Sequence, residues 1–145
     1  LTIIGDLREE NKTLIDKFGL QKNIKFKKKL SRPELISTLK DSDIGISGSL
    51  YEGFGFPLIE MISTGLPVIT SNRGSLPELA GDSGLTFEAN SSTDLSEKII
   101  NLIEDNSLRE ELIFSAKKRR DDFFGWDEYA KRLEIVYQKI IRGNI

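Results

Sequence analysis

Two glutamates, Glu52 and Glu60, stand with seven residues between them in the segment Ser49-Leu50-Tyr51-Glu52-Gly53-Phe54-Gly55-Phe56-Pro57-Leu58-Ile59-Glu60. Gly53 and Gly55 remove side chains between them, so backbone amides can approach a ligand closely. Pro57 suits the first position of a helix, which leaves the free N–H groups of that turn facing the loop. A helix start of this kind favours anions and polar oxygens. Glu60 is then expected in the first turn, ionised, with a carboxylate able to accept two hydroxyl hydrogen bonds from a vicinal diol such as ribose. Bonds of this type contribute about 1.5–3 kcal/mol each. A glycine-rich turn ahead of a helix is by itself a weak signal, and for Gly-x-Gly alone a surface turn with two solvated glutamates is the favoured reading. A carboxylate pair for glycoside hydrolysis needs one carboxyl that keeps its proton, which a helix N-terminus opposes.

Elements that could position this loop are legible on both sides of it. Leu1 to Ile4 is a short apolar run stopped by Gly5 and Asp6, a strand ending in a turn. A helical stretch follows with Leu7, Leu14, Ile15 and Phe18 on one side and Gly19 as its C-cap. Ile24, Phe26 and Leu30 alternate with lysines as a second strand. Ser31 and Glu34 form a capping box, with Pro33 in the first turn of a helix to about Lys40. Asp43 to Ser47 is the third strand, and the loop with both glutamates leaves its C-terminal end, where open parallel sheets bind ligands. The Pro57 helix ends at Gly65, strands follow at Pro67–Thr70 and Gly84–Phe87, and from Ser92 the chain is helical. Its stripes are Leu95, Ile99, Leu102 and Ile103, then Leu108, Leu112 and Ala116, then Trp126, Tyr129, Leu133, Val136, Tyr137 and Ile140. Core packing is the expectation for each stripe. Strands alternating with helices argue for a parallel α/β sheet with a helical C-terminal tail.

Composition narrows the chemistry. The 145 residues suffice for one domain with a sizeable core. With no Cys there is neither a disulfide nor a thiolate metal site, and a reducing cytosol fits. With no His, neither a catalytic imidazole nor an ordinary zinc site can come from these residues. The net charge of −2 does not suggest a nucleic-acid binder, the one basic cluster being Lys25, Lys27, Lys28 and Lys29. No apolar run approaches the roughly 18 residues that a membrane span needs.

The whole loop resembles the signature of glycosyltransferase group 1, the large retaining GT-B family, whose pattern Ser-x-x-Glu-Gly-Phe-Gly-x-Pro-x-x-Glu is matched from Ser49 to Glu60. Further matches lie in register: Ile3-Ile4-Gly5-Asp6, Gly65-Leu66-Pro67-Val68-Ile69, Gly74-Ser75-Leu76-Pro77-Glu78, Gly84-Leu85 and Phe124-Gly125-Trp126. The resemblance implies a Rossmann-like sheet flanked by helices, the C-terminal, donor-binding half of a GT-B enzyme. Glu60 would hold the ribose hydroxyls of a nucleoside-diphosphate sugar, and Glu52, the catalytic candidate, the hydroxyls of the transferred sugar. Gly53, Phe54, Gly55, Phe56 and Ile59 would line the sugar and diphosphate, Lys29 and Leu30 would edge the base, and Gly5 would leave room for the nucleotide. The implied donor is GDP-, UDP- or ADP-linked, with no cofactor or metal required. Departures occur at Gly48, where the family often has Pro, at Lys28, where it often has Gly, and at Leu7, which replaces a second Gly after Asp6.

The same resemblance implies residues that this sequence lacks. The family domain starts one strand and one helix earlier, with an Arg and a Lys for the diphosphate, so the 145 residues read as a piece of a longer two-domain enzyme, inactive alone. Arg8, Lys28, Lys29 and Arg73 are substitutes on charge grounds only. In a sheet of order 3-2-1-4-5-6 the absent strand is central, which leaves the Leu1 and Ile44 strands with unpaired edges and allows self-association. An N-terminal domain would bind a glycan or lipid-linked acceptor, in the cytoplasm or at the cytoplasmic membrane face. The reading from another class is a non-catalytic nucleotide-sugar-binding or interaction module. A glycogen-synthase-type relative is a further alternative, against which the short loops argue.

Overall fold

The structure, a computed structural model, describes residues 1–123 and 125–143. The chain forms two compact units, residues 1–38 and 39–145.

The first unit holds β1 (Thr2–Ile4), α1 (Glu9–Lys17), β2 (Lys25–Lys27) and most of α2 (Arg32–Lys40). β1 and β2 pair in parallel, with Ile3 opposite Phe26. Both are half-buried, while Lys25 and Lys27 on either side of Phe26 are exposed, the alternation expected of a sheet with one covered face. Glu9 and Glu10 open α1 and Lys17 closes it, each charge matching its end of the helix dipole. Gly19, at φ 65°, then takes the left-handed position that ends the helix, with Gly19 N–H donating to Asp16 O and Leu20 N–H to Ile15 O. One expectation fails in this unit: Leu30 lies beyond the end of β2. On the α1 stripe Leu14 and Phe18 are exposed, and Leu7 and Ile15 are half-covered.

The second unit contains β3 (Gly45–Ser47), α3 (Phe56–Ser63), β4 (Val68–Ser71), α4 (Leu76–Ala80), a 3-10 turn at Gly81–Ser83, β5 (Gly84–Phe87), α5 (Ser92–Glu104), α6 (Asn106–Arg120) and α7 (Trp126–Ile141). Its strands run parallel in the order β3-β4-β5. β4 is central and buried at every residue, which is why Val68-Ile69-Thr70-Ser71 shows no polar alternation. Ile69 packs with Phe87, Leu102 and Leu112 beneath α5 and α6. Leu58 and Ile62 of α3 and Leu76 and Ala80 of α4 are buried as well. β1 and β2 are the edges of the two-stranded sheet, and β3 and β5 those of the three-stranded one.

Boundaries follow local chemistry. Gly65, at φ 85°, terminates α3, with Gly65 N–H donating to Ile62 O and Leu66 N–H to Met61 O. Asp105 ends α5 and begins α6 in one residue, its Oδ1 accepting from Leu108 N–H at 2.9 Å. α4 was not legible as a helix. Core packing holds for the α6 stripe and for Leu95, Ile99 and Leu102 of α5, but not for Ile103, which is 59% exposed, nor for α7, which has no buried residue. Trp126 is 81% exposed, and Val136, Tyr137 and Ile140 are each about half exposed. Phe124, part of the expected Phe-Gly-Trp match, lies outside the described residues. Among the described residues no helix is long and apolar enough to cross a membrane.

Candidate functional site

β3 ends at the buried Ser47 and releases the Gly48–Gly55 loop at the C-terminal edge of its parallel sheet. Glu52 is half-buried there, and its Oε1 accepts a hydrogen bond from Ser49 Oγ at 2.9 Å. The backbone carbonyl of Ser49 accepts in turn from Ser71 Oγ, 2.5 Å away, and Ser71 is the fully buried last residue of β4. The turn after β4 supports the loop from its other end. Ser75 Oγ donates to Phe54 O at 2.9 Å, and its 3.5 Å approach to Glu52 O is at the outer limit of a hydrogen bond. Gly74 lies against the backbone of Glu52.

The loop enters α3 through Gly55, whose left-handed conformation (φ 93°) a side chain would strain. Gly55 O accepts from Leu58 N–H at 3.0 Å and Ile59 N–H at 3.2 Å. The two glycines differ in role. A Cβ on Gly53 would meet open space, whereas one on Gly55 would fall 2.9 Å from Leu79 Cδ1. Gly53 therefore keeps the loop surface accessible, and Gly55 is a packed turn. Phe56 is the first helical residue and Pro57 the second, and among the described residues no side chain caps this terminus. Such an end leaves amide N–H dipoles available to an anion. Glu60 is half-buried and falls outside the first turn of α3, which contains no acidic residue. This corrects the expected placement: the helix begins only one residue before Pro57, so Glu60 is its fifth residue, where the dipole has largely faded.

Phe54 and Phe56 meet edge to face with centroids 4.9 Å apart, and both are exposed, as are Leu50 and Tyr51. The structure thus brings Glu52, Gly53, Phe54, Gly55, Phe56, Ile59 and Glu60 together on one loop and one helix of the second unit. Gly5, Lys29 and Leu30 belong to the first unit, at the C-terminal ends of its two strands. Gly5 N–H donates to Lys27 O at 3.0 Å, and a Cβ on Gly5 would meet nothing within 4 Å. Lys29 holds a left-handed backbone (φ 49°), unusual for a residue with a side chain. Of the cations suggested for a diphosphate, Lys28 pairs with Asp6 at 2.9 Å and Arg73 with Glu88 at 3.2 Å. Both are surface pairs, weak enough to exchange for a ligand. Asn72 also donates to Glu88 and accepts from Ala89 N–H, which ties the ends of β4 and β5 together. Among the described residues no three Asp or Glu side chains form a metal-holding group.

A carboxylate steadied beside an uncapped helix start, at the C-terminal edge of a parallel sheet, is the arrangement that the sequence motif describes. The family of glycosyl transferases group 1 matches residues 1–119. The chain belongs to this family. It is 47% identical over 62 residues to O-antigen chain mannosyltransferase B of Escherichia coli, covering 43% of this chain and 16% of that protein. It is 28% identical over 131 residues to the MMP alpha-(1->4)-mannosyltransferase of Mycolicibacterium hassiacum, covering 88% of this chain and 32% of that protein. Among solved structures, Anabaena Alr3699/HepE in complex with UDP and glucose superposes with a TM-score of 0.84 at 20% identity, over 95% of this chain and 40% of that one. The fold is that of the C-terminal domain of GT-B glycosyltransferases. The chain spans at most about a third of the length of these two curated relatives.

Sequence reasoning missed the supports of the site. The Ser49–Glu52 spacing of three residues was a usable local signal, the same spacing that lets Ser31 meet Glu34. Ser71 and Ser75 carried no signal, because each reaches the loop across more than twenty residues of chain.

Proposed function

We propose that this chain forms the donor-binding half of a retaining glycosyltransferase that uses a nucleoside-diphosphate hexose. The observation that carries the reading is the half-buried Glu52 carboxylate, held by Ser49 on the loop that runs into the uncapped start of α3. In this reading Glu52 accepts hydrogen bonds from hydroxyls of the transferred sugar. Amides of Gly53, Phe54, Gly55 and Phe56 face the diphosphate, where they stabilise the charge that develops on the leaving group. Ile59 packs along the donor, and Glu60 takes the ribose diol. The acceptor, a glycan or lipid-linked chain, is held by parts of the enzyme beyond these residues and attacks the face that the diphosphate leaves. The family match supports sugar transfer, and the names of the relatives support a hexose. Two of the relatives are mannosyltransferases and a structural neighbour binds UDP and glucose, so mannosyl and glucosyl donors are the candidates.

Ligand-observed NMR with GDP, UDP and ADP tests the reading, on the chain and on Glu60→Ala. The expected result is saturation transfer to one nucleotide that Glu60→Ala abolishes. Unchanged binding in Glu60→Ala would remove the ribose assignment.

A further inference from the structure

The geometry points to Ser49 as a positioning residue for Glu52, with Ser71 holding Ser49 in place. The inference rests on the reading of Glu52 as the sugar contact and adds how that contact is aimed. Glutamate has three rotatable side-chain bonds, and Glu52 sits in a loop where Gly53 has open space on its Cβ side. Such a carboxylate samples many orientations unless something fixes it. Ser49 Oγ fixes one oxygen, Oε1, at 2.9 Å. With Oε1 engaged by Ser49, Oε2 is the oxygen assigned to the ligand, so one carboxylate is divided between a support role and a recognition role.

Ser49 is on the same loop and would move with it unless anchored elsewhere. Its carbonyl accepts from Ser71 Oγ at 2.5 Å, and Ser71 is fully buried at the end of the central strand. A hydroxyl that spans 22 residues from the central, fully buried strand to this loop connects Glu52 to the core through two hydrogen bonds. Ser75 holds the far side of the same loop at Phe54 O. Glu52 is thus clamped between two supports, and removal of Ser49 frees the carboxylate without removing it.

A merely local role is the competing account, in which the Ser49–Glu52 bond shapes a turn and has no bearing on chemistry. Two measurements separate the accounts. First, three-bond couplings across the Glu52 side chain, read by NMR without ligand, are expected to report one rotamer in the native protein and in Ser49→Thr, and averaging in Ser49→Ala. Native-like couplings in Ser49→Ala overturn the inference. Second, steady-state transfer by the enzyme is measured in a double-mutant cycle. Loss of a hydrogen bond to a charged group predicts a fall in kcat of about tenfold or more for Ser49→Ala, with nucleotide affinity unchanged. Ser49→Thr is expected to recover most of it, and Ser49→Ala to cost nothing further in a Glu52→Ala background. An equal loss in both backgrounds overturns the inference. If Glu52→Ala itself leaves transfer intact, the sugar-contact reading fails, and the couplings still decide whether Ser49 positions Glu52.

Discussion

A Cβ placed on Gly74 would lie 2.6 Å from the carbonyl oxygen of Glu52, and the Gly74 backbone is left-handed at φ 57°. At Gly74 the turn after β4 therefore meets the loop after β3 backbone to backbone, and this contact leaves no room for a side chain. Gly74→Ala must push the Glu52 segment aside as well as strain its own backbone. The expected cost is about 1–3 kcal/mol of stability, together with loss of donor binding, because Gly53 and Phe54 move with Glu52. Chemical denaturation and nucleotide titration of Gly74→Ala check both parts. A variant with native affinity would show that the two loops adjust independently.

Thr70 makes a second, opposite prediction. It is fully buried in β4, and among the described residues its hydroxyl has no hydrogen-bond partner. A buried polar group left unpaired costs about 1–3 kcal/mol, whereas an apolar group of the same shape costs nothing comparable. Thr70→Val is therefore expected to leave stability unchanged or to raise it by up to about 1 kcal/mol. Most core substitutions lower stability, so the sign is diagnostic. A clear loss in urea denaturation would mean that a buried water or a shifted neighbour satisfies the hydroxyl.

The sequence was most informative where a boundary is decided within four residues. Gly19 and Gly65 end their helices because both adopt the left-handed conformation that only glycine takes without strain. β4 was legible as a buried strand because a parallel strand covered on both faces needs no polar alternation. Legibility failed where tertiary context decides. α4 has five residues, too few for a helical period, and its Ser75 spends its hydroxyl on Phe54 rather than on a cap. Glu60 lies one residue further into the helix than the sequence suggests, because proline is tolerated at either of the first two helical positions. The α7 stripe has the periodicity of a core helix, and periodicity says that a face is apolar without saying what covers it.

Glu34 gives the first unit an acid-sensitive contact. The Ser31 hydroxyl at 2.6 Å and the Ser31 amide at 2.8 Å both donate to Glu34 Oε2, and with Lys27 nearby they hold its carboxyl below the ordinary carboxylate range. A depressed native value stabilises the fold fully above the unfolded-state value, about 4.3, and the contribution is lost as pH falls through the native value. Glu34→Gln is expected to melt lower than the native chain near neutral pH, with the gap narrowing below about pH 4. Ser31→Ala should behave in the same way. Thermal melts across the acid range check it, and a gap independent of pH would mean that the contact acts without its charge.

α7 and α5 should respond oppositely to truncation. Leu102 of α5 is fully buried in the cluster with Ile69, Phe87 and Leu112, so Leu102→Ala removes packed methyl groups and leaves a cavity. The expected cost is about 2–5 kcal/mol. Ile140 of α7 is 54% exposed on a helix with no buried residue. Ile140→Ala therefore removes little burial, and its expected effect is within about 0.5 kcal/mol. Substitution of Val136 and Tyr137 on the same helix should be equally mild. Urea denaturation of the purified chain, followed by the fluorescence of Trp126, would report α7 itself, so far-ultraviolet circular dichroism is the better probe of the second unit. A large loss in Ile140→Ala would show that α7 is covered in solution, by its own unit or by a second copy, and a concentration-dependent midpoint would identify the copy.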